Sequence, residues 1–207
     1  MSDPKHVERY ARAIIRHADD LAEMIENVLA AAGSGKRKPK AEETAVPVLE
    51  TIDRAIDAAS AEIEASGCEV DLQIAPDLPP FWGDPAALRR VFQNLVSNAA
   101  RHGAEGRWIG VSAALAGGKL EVRVADRGPG IDPAEEPYLF EPFWRGERAK
   151  LDRVRGTGLG LSLVKEIVEA HGGSIRLVNS TGEGTVFAVI LPAATSDQCD
   201  DFTNPAG

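Results

Sequence analysis

The chain has 207 residues, with 23 Lys and Arg against 32 Asp and Glu, a formal charge of −9 and 43% hydrophobic residues. This is the composition of a soluble globular protein with one domain of ordinary size plus additional chain. It excludes a collagen-like or wholly disordered chain and argues against nucleic acid or an anionic membrane surface as the main partner. Any phosphate site must therefore be built from locally placed donors. Cys68 and Cys199 lie far apart without metal or redox spacing, so a reducing, cytoplasmic setting is expected. The given chain shows no signal peptide and no apolar run of the ~18 residues that a membrane span needs.

In chain order, a helix is expected over residues 4–32, started by Asp3-Pro4 and stopped by Gly33-Ser34-Gly35. Val7, Ala11, Ile14, Ala18, Leu21, Ile25, Val28 and Ala32 alternate by four and three, a narrow heptad seam that calls for a partner helix or, as the alternative, lies across its own domain. The GSGKRKPK run that follows has the composition of a flexible basic linker. The chain thus divides into a helical segment at 1–33, a linker at 34–45, a compact domain at 46–192 and a non-periodic, disordered tail at 193–207.

Within the compact domain, helices are predicted over 48–65, 84–101 and 158–170, and strands over 69–74, 108–114, 119–125, 174–178 and 185–191. Gly117-Gly118 closes one hairpin, and residues 181–184 close a second. Residues 129–156, rich in Pro, Gly and charge, form a loop far longer than the usual ~4–6 residues, as a functional lid would. Helices and antiparallel strands in this order predict an α+β fold, a two-layer α/β sandwich with its helices on one face of the sheet.

Three segments carry candidate chemistry. Asn94 and Asn98 stand four apart on one helical face, where an amide oxygen could ligate a hard cation such as Mg²⁺. Arg101, near the end of that helix, can meet a phosphate or balance the helix dipole. The run from Asp126 to Ile131, with Gly128 and Gly130, is either a strand-ending turn or a carboxylate placed to accept a hydrogen bond from an amine such as that of adenine. Gly156-Thr157-Gly158-Leu159-Gly160-Leu161 opens a helix whose N–H groups suit a phosphate. It lacks the Lys-Ser/Thr of a P-loop, and no strand precedes it as a dinucleotide fingerprint requires. Arg145, Arg148, Lys150, Arg153 and Arg155 make the preceding loop locally basic.

Taken in this order, and with Leu139-Phe140-Glu141-Pro142-Phe143-Trp144-Arg145-Gly146, these segments resemble the ATP-binding catalytic domain of sensor histidine kinases, the Bergerat-type ATPase/kinase fold. The resemblance covers about residues 46–192 and implies ATP and Mg²⁺ as ligands. It implies that Asn98 ligates Mg²⁺, with Asn94, Arg101 and His102 near the nucleotide; that Asp126 binds the adenine amine, with Gly128, Gly130 and Ile131 around the ring; and that Thr185 is a last polar contact. It further implies that Gly156, Thr157, Gly158, Leu159, Gly160 and Leu161 hold the lid on the phosphates and that Arg145 acts from the lid.

The resemblance also implies a reaction, transfer of the γ-phosphoryl to a histidine on a dimerisation helix. Related ATPases use a Glu to activate water where this chain has Asn94, and an amide is no general base. The N-terminal heptad helix resembles the second half of the dimerisation hairpin, and neither His6 nor His17 stands in the family's acceptor motif. The expected partners are an acceptor helix of the same homodimeric parent at the inner membrane and a response regulator. Autophosphorylation of this chain alone is not expected. The alternatives are a phosphotransfer or scaffold protein of the same fold that does not bind ATP, and a pure ATPase.

Overall fold

The computed structural model describes residues 43–103, 106–151 and 156–195. The heptad helix, most of the linker and the tail beyond Thr195 lie outside the described residues.

The first described strand, β1 (Thr44–Val46), begins inside the segment whose composition reads as linker. It pairs antiparallel with β3 (Phe81–Gly83), Val46 opposite Phe81. Both strands are three residues long, too short for an alternation to register in the sequence. The helix expected over 48–65 is instead two, α1 (Val48–Ala58) and α2 (Ser60–Ser66), broken at Ala59. Every residue across the break is compatible with a helix, and the burial of Ala59 against the core decides the bend. Gly67 then ends α2 in the left-handed conformation.

The main sheet has the order β2-β4-β5-β7-β6, formed by Glu69–Ile74, Trp108–Ala116, Lys119–Asp126, Gly184–Pro192 and Ser174–Thr181. Its β4–β5, β5–β7 and β6–β7 ladders are antiparallel, as expected. The β2–β4 pair is parallel, which corrects the all-antiparallel expectation. The helix α3 (Pro85–His102) lies between these two strands and supplies the crossover that a parallel pair requires. The β4–β5 turn carries two positive φ angles, at Gly117 and Gly118, which side chains disfavour.

The helices cover one face of the sheet. Asp84 caps α3, accepting from the N–H groups of Ala86 and Ala87 at 2.8 and 3.2 Å, and Pro85 takes the first helical position. The middle of α3 buries Leu88, Val91, Phe92, Leu95 and Val96 against the sheet side of the core. This helix packs between α1 and the last helix, α5 (Gly160–Ala170). His171, expected as part of a helix-ending turn, does cap α5 and also stitches it to α3: its Nε2 accepts the Asp84 N–H at 3.2 Å while its Nδ1 lies 2.7 Å from the Ile167 carbonyl. Ala193 and Ala194 continue past β7, pairing with Phe81 and Pro80, so the chain is still held two residues into the expected tail.

The described residues of the expected lid, 129–151 and 156, are largely irregular but include a 3₁₀ turn at Glu136–Tyr138 and a short helix, α4 (Glu147–Leu151). Phe81 and Phe92 stack at 5.8 Å between centroids, each only 1% exposed. Phe92→Ala should therefore cost about 3–5 kcal/mol. A urea melt checks this through its midpoint, and an unshifted midpoint would show that the stack does not bear on the core.

Candidate functional site

A cleft of about 370 Å³ opens between α3, the ends of β5 and β7, and the lid. Asp126 stands at its base, the last residue of β5, and is 9% exposed. Its Oδ1 accepts the Gly128 N–H at 2.8 Å, and the Thr185 N–H donates to the same carboxylate. Desolvation raises the pKa of this carboxyl above the ordinary aspartate value, against the opposing pull of those two hydrogen bonds. The neighbouring backbone comes unusually close: a Cβ on Gly184 would lie 2.0 Å from the Asp126 carbonyl, so only glycine fits opposite. Leu95, Val124, Ile131, Leu139 and Phe187 give the slot above Asp126 an apolar lining.

The opposite end is polar. Asn94 and Asn98 both face the cleft from α3, half-buried, as their spacing of four predicts. The Asn94 Nδ2 donates to the Arg90 carbonyl at 2.9 Å, which leaves its Oδ1 turned toward the start of α5, 2.9 Å from where a Cβ on Gly160 would sit. Arg101 also reaches the cleft, and Glu62 of α2 holds its guanidinium at 3.2 Å. Gly156 lies beside it, with the position of a Cβ 3.6 Å from the Arg101 Nη1. Gly158, at φ +75°, passes so close to the Phe143 and Trp144 backbone that any side chain would collide, and its carbonyl accepts the Phe143 N–H at 2.9 Å. Arg145 and Trp144 enter from the lid.

His102 is solvent-accessible yet has protein atoms crowded around its ring, and that desolvation, followed by the charges of Arg101 and Arg145, holds its pKa below the ordinary 6.5. The imidazole is therefore neutral at pH 7.

Of the sequence-predicted site residues, Asn94, Asn98, Arg101, His102, Asp126, Gly130, Ile131, Arg145, Gly156, Thr157, Gly158, Gly160, Leu161 and Thr185 line this one cleft. Gly128 and Leu159 do not: Gly128 packs against the His102 carbonyl and donates to Asp126, while Leu159 is buried at the start of α5. The sequence reading missed Glu135, whose carboxylate lines the lid side, because an acidic residue in a charged loop looks solvated. It also missed Phe187, an inward position of β7 whose alternation marked it only as core. Among the described residues no group of three or more His, Cys, Asp or Glu could hold a metal ion. The lining offers a cation the amide oxygens of Asn94 and Asn98, with its ligand's own oxygens to complete the shell.

Comparison with known proteins agrees with this geometry. Residues 83–195, more than half of the chain, match the family model described as "Histidine kinase-, DNA gyrase B-, and HSP90-like ATPase". The chain is 30% identical over 204 residues to the sensor-like histidine kinase SenX3 of Mycobacterium tuberculosis, covering 96% of this chain and 48% of that protein. It is 37% identical over 129 residues to the alginate biosynthesis sensor protein KinB of Pseudomonas aeruginosa, covering 62% and 21%. Among solved structures, full-length ShkA in complex with AMPPNP superposes with a TM-score of 0.74 at 26% identity, covering 91% of this chain and 39% of that one. The mycobacterial sensor histidine kinase MprB gives a TM-score of 0.60 at 30% identity, covering 72% and 97%.

The chain belongs to the histidine kinase-, DNA gyrase B- and HSP90-like ATPase family. Within it, the chain carries a catalytic ATPase domain of the sensor histidine kinase type, which the family model matches over residues 83–195. The chain spans about half the length of SenX3.

The lowered His102 pKa has a consequence for stability. The unfolded chain binds the proton more readily than the folded one, so stability falls as pH drops from about 6.5 through the folded value. His102→Gln should flatten part of this slope in denaturant midpoints compared between about pH 7.5 and about pH 5.5. A slope identical to that of the unaltered protein would contradict the assignment.

Proposed function

We propose that the cleft binds ATP with a divalent cation and transfers the γ-phosphoryl to a histidine on a dimerisation helix. The observation that carries the proposal is the polarity of the cleft, with a buried carboxylate below an apolar slot at one end and two amides, cationic side chains and glycine backbone at the other. Asp126, with two of its acceptor sites taken by the Gly128 and Thr185 N–H groups, has capacity left for an exocyclic amine of adenine. Gly130, Ile131 and Phe187 flank the ring, and neutral His102 lies near the nucleotide without adding charge.

Asn98 and Asn94 would hold the cation, and the outward Oδ1 of Asn94 fits that task because its Nδ2 is already committed to Arg90. A bound Mg²⁺ would supply neutralisation of the phosphate oxygens. Arg101, Arg145 and the 156–161 backbone meet the same oxygens and fix the direction of transfer. Transfer breaks the bond between the γ-phosphorus and the ADP oxygen and forms a bond to the unprotonated imidazole nitrogen, and the proton on the other ring nitrogen leaves to solvent. Asn94 has no basic group with which to activate water, which favours transfer over hydrolysis.

None of the four histidines is followed by an acidic residue, so the acceptor is supplied by another segment of the parent. That parent is a homodimer attached to the inner membrane, which passes its phosphoryl group on to a response regulator. Among the described residues no helix is long and apolar enough to cross a membrane.

Two outcomes test the proposal. Asp126→Asn should weaken ATP binding about 10–100-fold in calorimetry, the loss expected for one hydrogen bond to a charged group. Asparagine offers the Gly128 and Thr185 N–H groups one acceptor oxygen where the carboxylate has two, so a urea melt of the variant run beside the calorimetry shows whether it is folded. Unchanged affinity would contradict the adenine assignment. With labelled ATP the chain alone should gain no acid-labile, alkali-stable phosphate, and such phosphate would contradict an external acceptor.

A further inference from the structure

We infer that Glu135 is a positioning residue that braces the lid segment carrying Arg145 and Arg148 over the phosphate end of the cleft. The inference rests on the nucleotide-binding function proposed above.

Among the described residues, Trp144 packs this segment partly against the core, and the stretch that follows it has few apolar anchors. The helix α4 buries no side chain: its last residue, Leu151, is 79% exposed, and Phe143 shortly before it is 61% exposed. With no buried side chain in α4, the position of this helix depends on specific hydrogen bonds. On its α5 side the lid is tied by the Phe143 N–H to the Gly158 carbonyl. On its other side the tie is Glu135, whose Oε1 accepts the Glu147 N–H at 2.8 Å across twelve residues of chain. This satisfies one of the otherwise unpaired N–H groups at the start of α4 and sets a negative charge at its N-terminus.

The second carboxylate oxygen, Oε2, would sit 2.7 Å from a Cβ on Gly146, so the carboxylate lies directly on the Gly146 backbone. Arg145 precedes this clamp and Arg148 follows it, and both line the cleft together with Glu135. Arg145 is already directed inward, since its charge contributes to lowering the His102 pKa, and its Nη2 donates to the Ala149 carbonyl at 3.5 Å. A negative side chain in an anion-binding cleft repels the ligand. Its presence is accounted for by what it holds. With the clamp lost, the backbone that carries the two arginines is less fixed, and binding must order it.

Calorimetry of the full chain with ATP, ADP and AMP tests this, using Glu135→Ala, Glu135→Gln and Gly146→Ala. Removing the acceptor should weaken ATP about tenfold while AMP, which does not reach the lid arginines, changes less than about twofold. Glu135→Gln keeps an oxygen acceptor for the Glu147 N–H and should restore ATP to within about threefold of the unaltered chain. Gly146→Ala presses on the Oε2 end of the carboxylate, which can shift, so it should weaken ATP in the same direction as Glu135→Ala but by less, with AMP again little changed; it serves as the test if Glu135→Ala does not fold.

Unchanged ATP affinity in Glu135→Ala, equal weakening of all three nucleotides, or a glutamine variant as weak as the alanine one would each overturn the inference. Absence of ATP binding by the unaltered chain would instead overturn the proposed function and the inference with it.

Discussion

The structure turns on a carboxylate buried at the end of a central strand. An aspartate out of water needs hydrogen-bond donors to compensate, and here both come from backbone that only a particular local sequence can bring close enough. Gly128 turns immediately after β5 to return its N–H to Asp126. Thr185 stands opposite in register on β7, and Gly184 next to it has no side chain to force the strands apart. Gly103, at the end of α3, lets that helix approach the Asp126 Cβ, where a methyl would lie 2.8 Å away. One side chain thereby ties together the ends of two strands and the helix that carries the amides. The separation between the carboxylate end and the amide end of the cleft follows from where those elements stop.

The electrostatics of the cleft run against those of the chain. With a formal charge of −9 the protein repels a polyphosphate at long range, yet Arg101, Arg145 and Arg148 converge on one end of the cleft beside glycine backbone. Nucleotide affinity must then come from short-range contacts, which a Debye length of ~8 Å at physiological salt favours over the distant surface. Such contacts require fixed groups. Glu62 fixes Arg101, Arg90 fixes the Asn94 amide, and the lid carries its arginines on a segment with little apolar packing. Rigidity at the carboxylate end and looseness at the phosphate end suit a site that must admit and release a ligand.

Much of this was legible in the sequence because it rests on local patterns. The Asn94/Asn98 spacing placed both amides on the cleft side of α3, the Gly117-Gly118 pair closed the β4–β5 hairpin, and the alternation of β5 led to Asp126. What escaped was non-local. The parallel pairing of β2 with β4 depends on how α3 crosses the sheet, and no period within either strand reports it. The break at Ala59 is imposed by core burial on a sequence that could continue as a helix. Glu135 meets the Glu147 N–H across twelve residues of irregular chain, and His171 bridges to Asp84 across 87, so neither partner can be read from spacing. The resemblance to sensor histidine kinases supplied Thr185, whose position in a strand would otherwise mark it only as a buried polar residue.

The central claim is that Asp126 reads the amine of adenine, and changing the ligand tests it without disturbing the protein. Calorimetric titration should compare ATP with inosine triphosphate, which presents a carbonyl acceptor where adenine presents an amine donor. Two acceptors would then face each other in a buried site, so ATP should bind and inosine triphosphate should be weaker by about 30-fold or more. Equal affinity for the two would show that the buried carboxylate does not select the base.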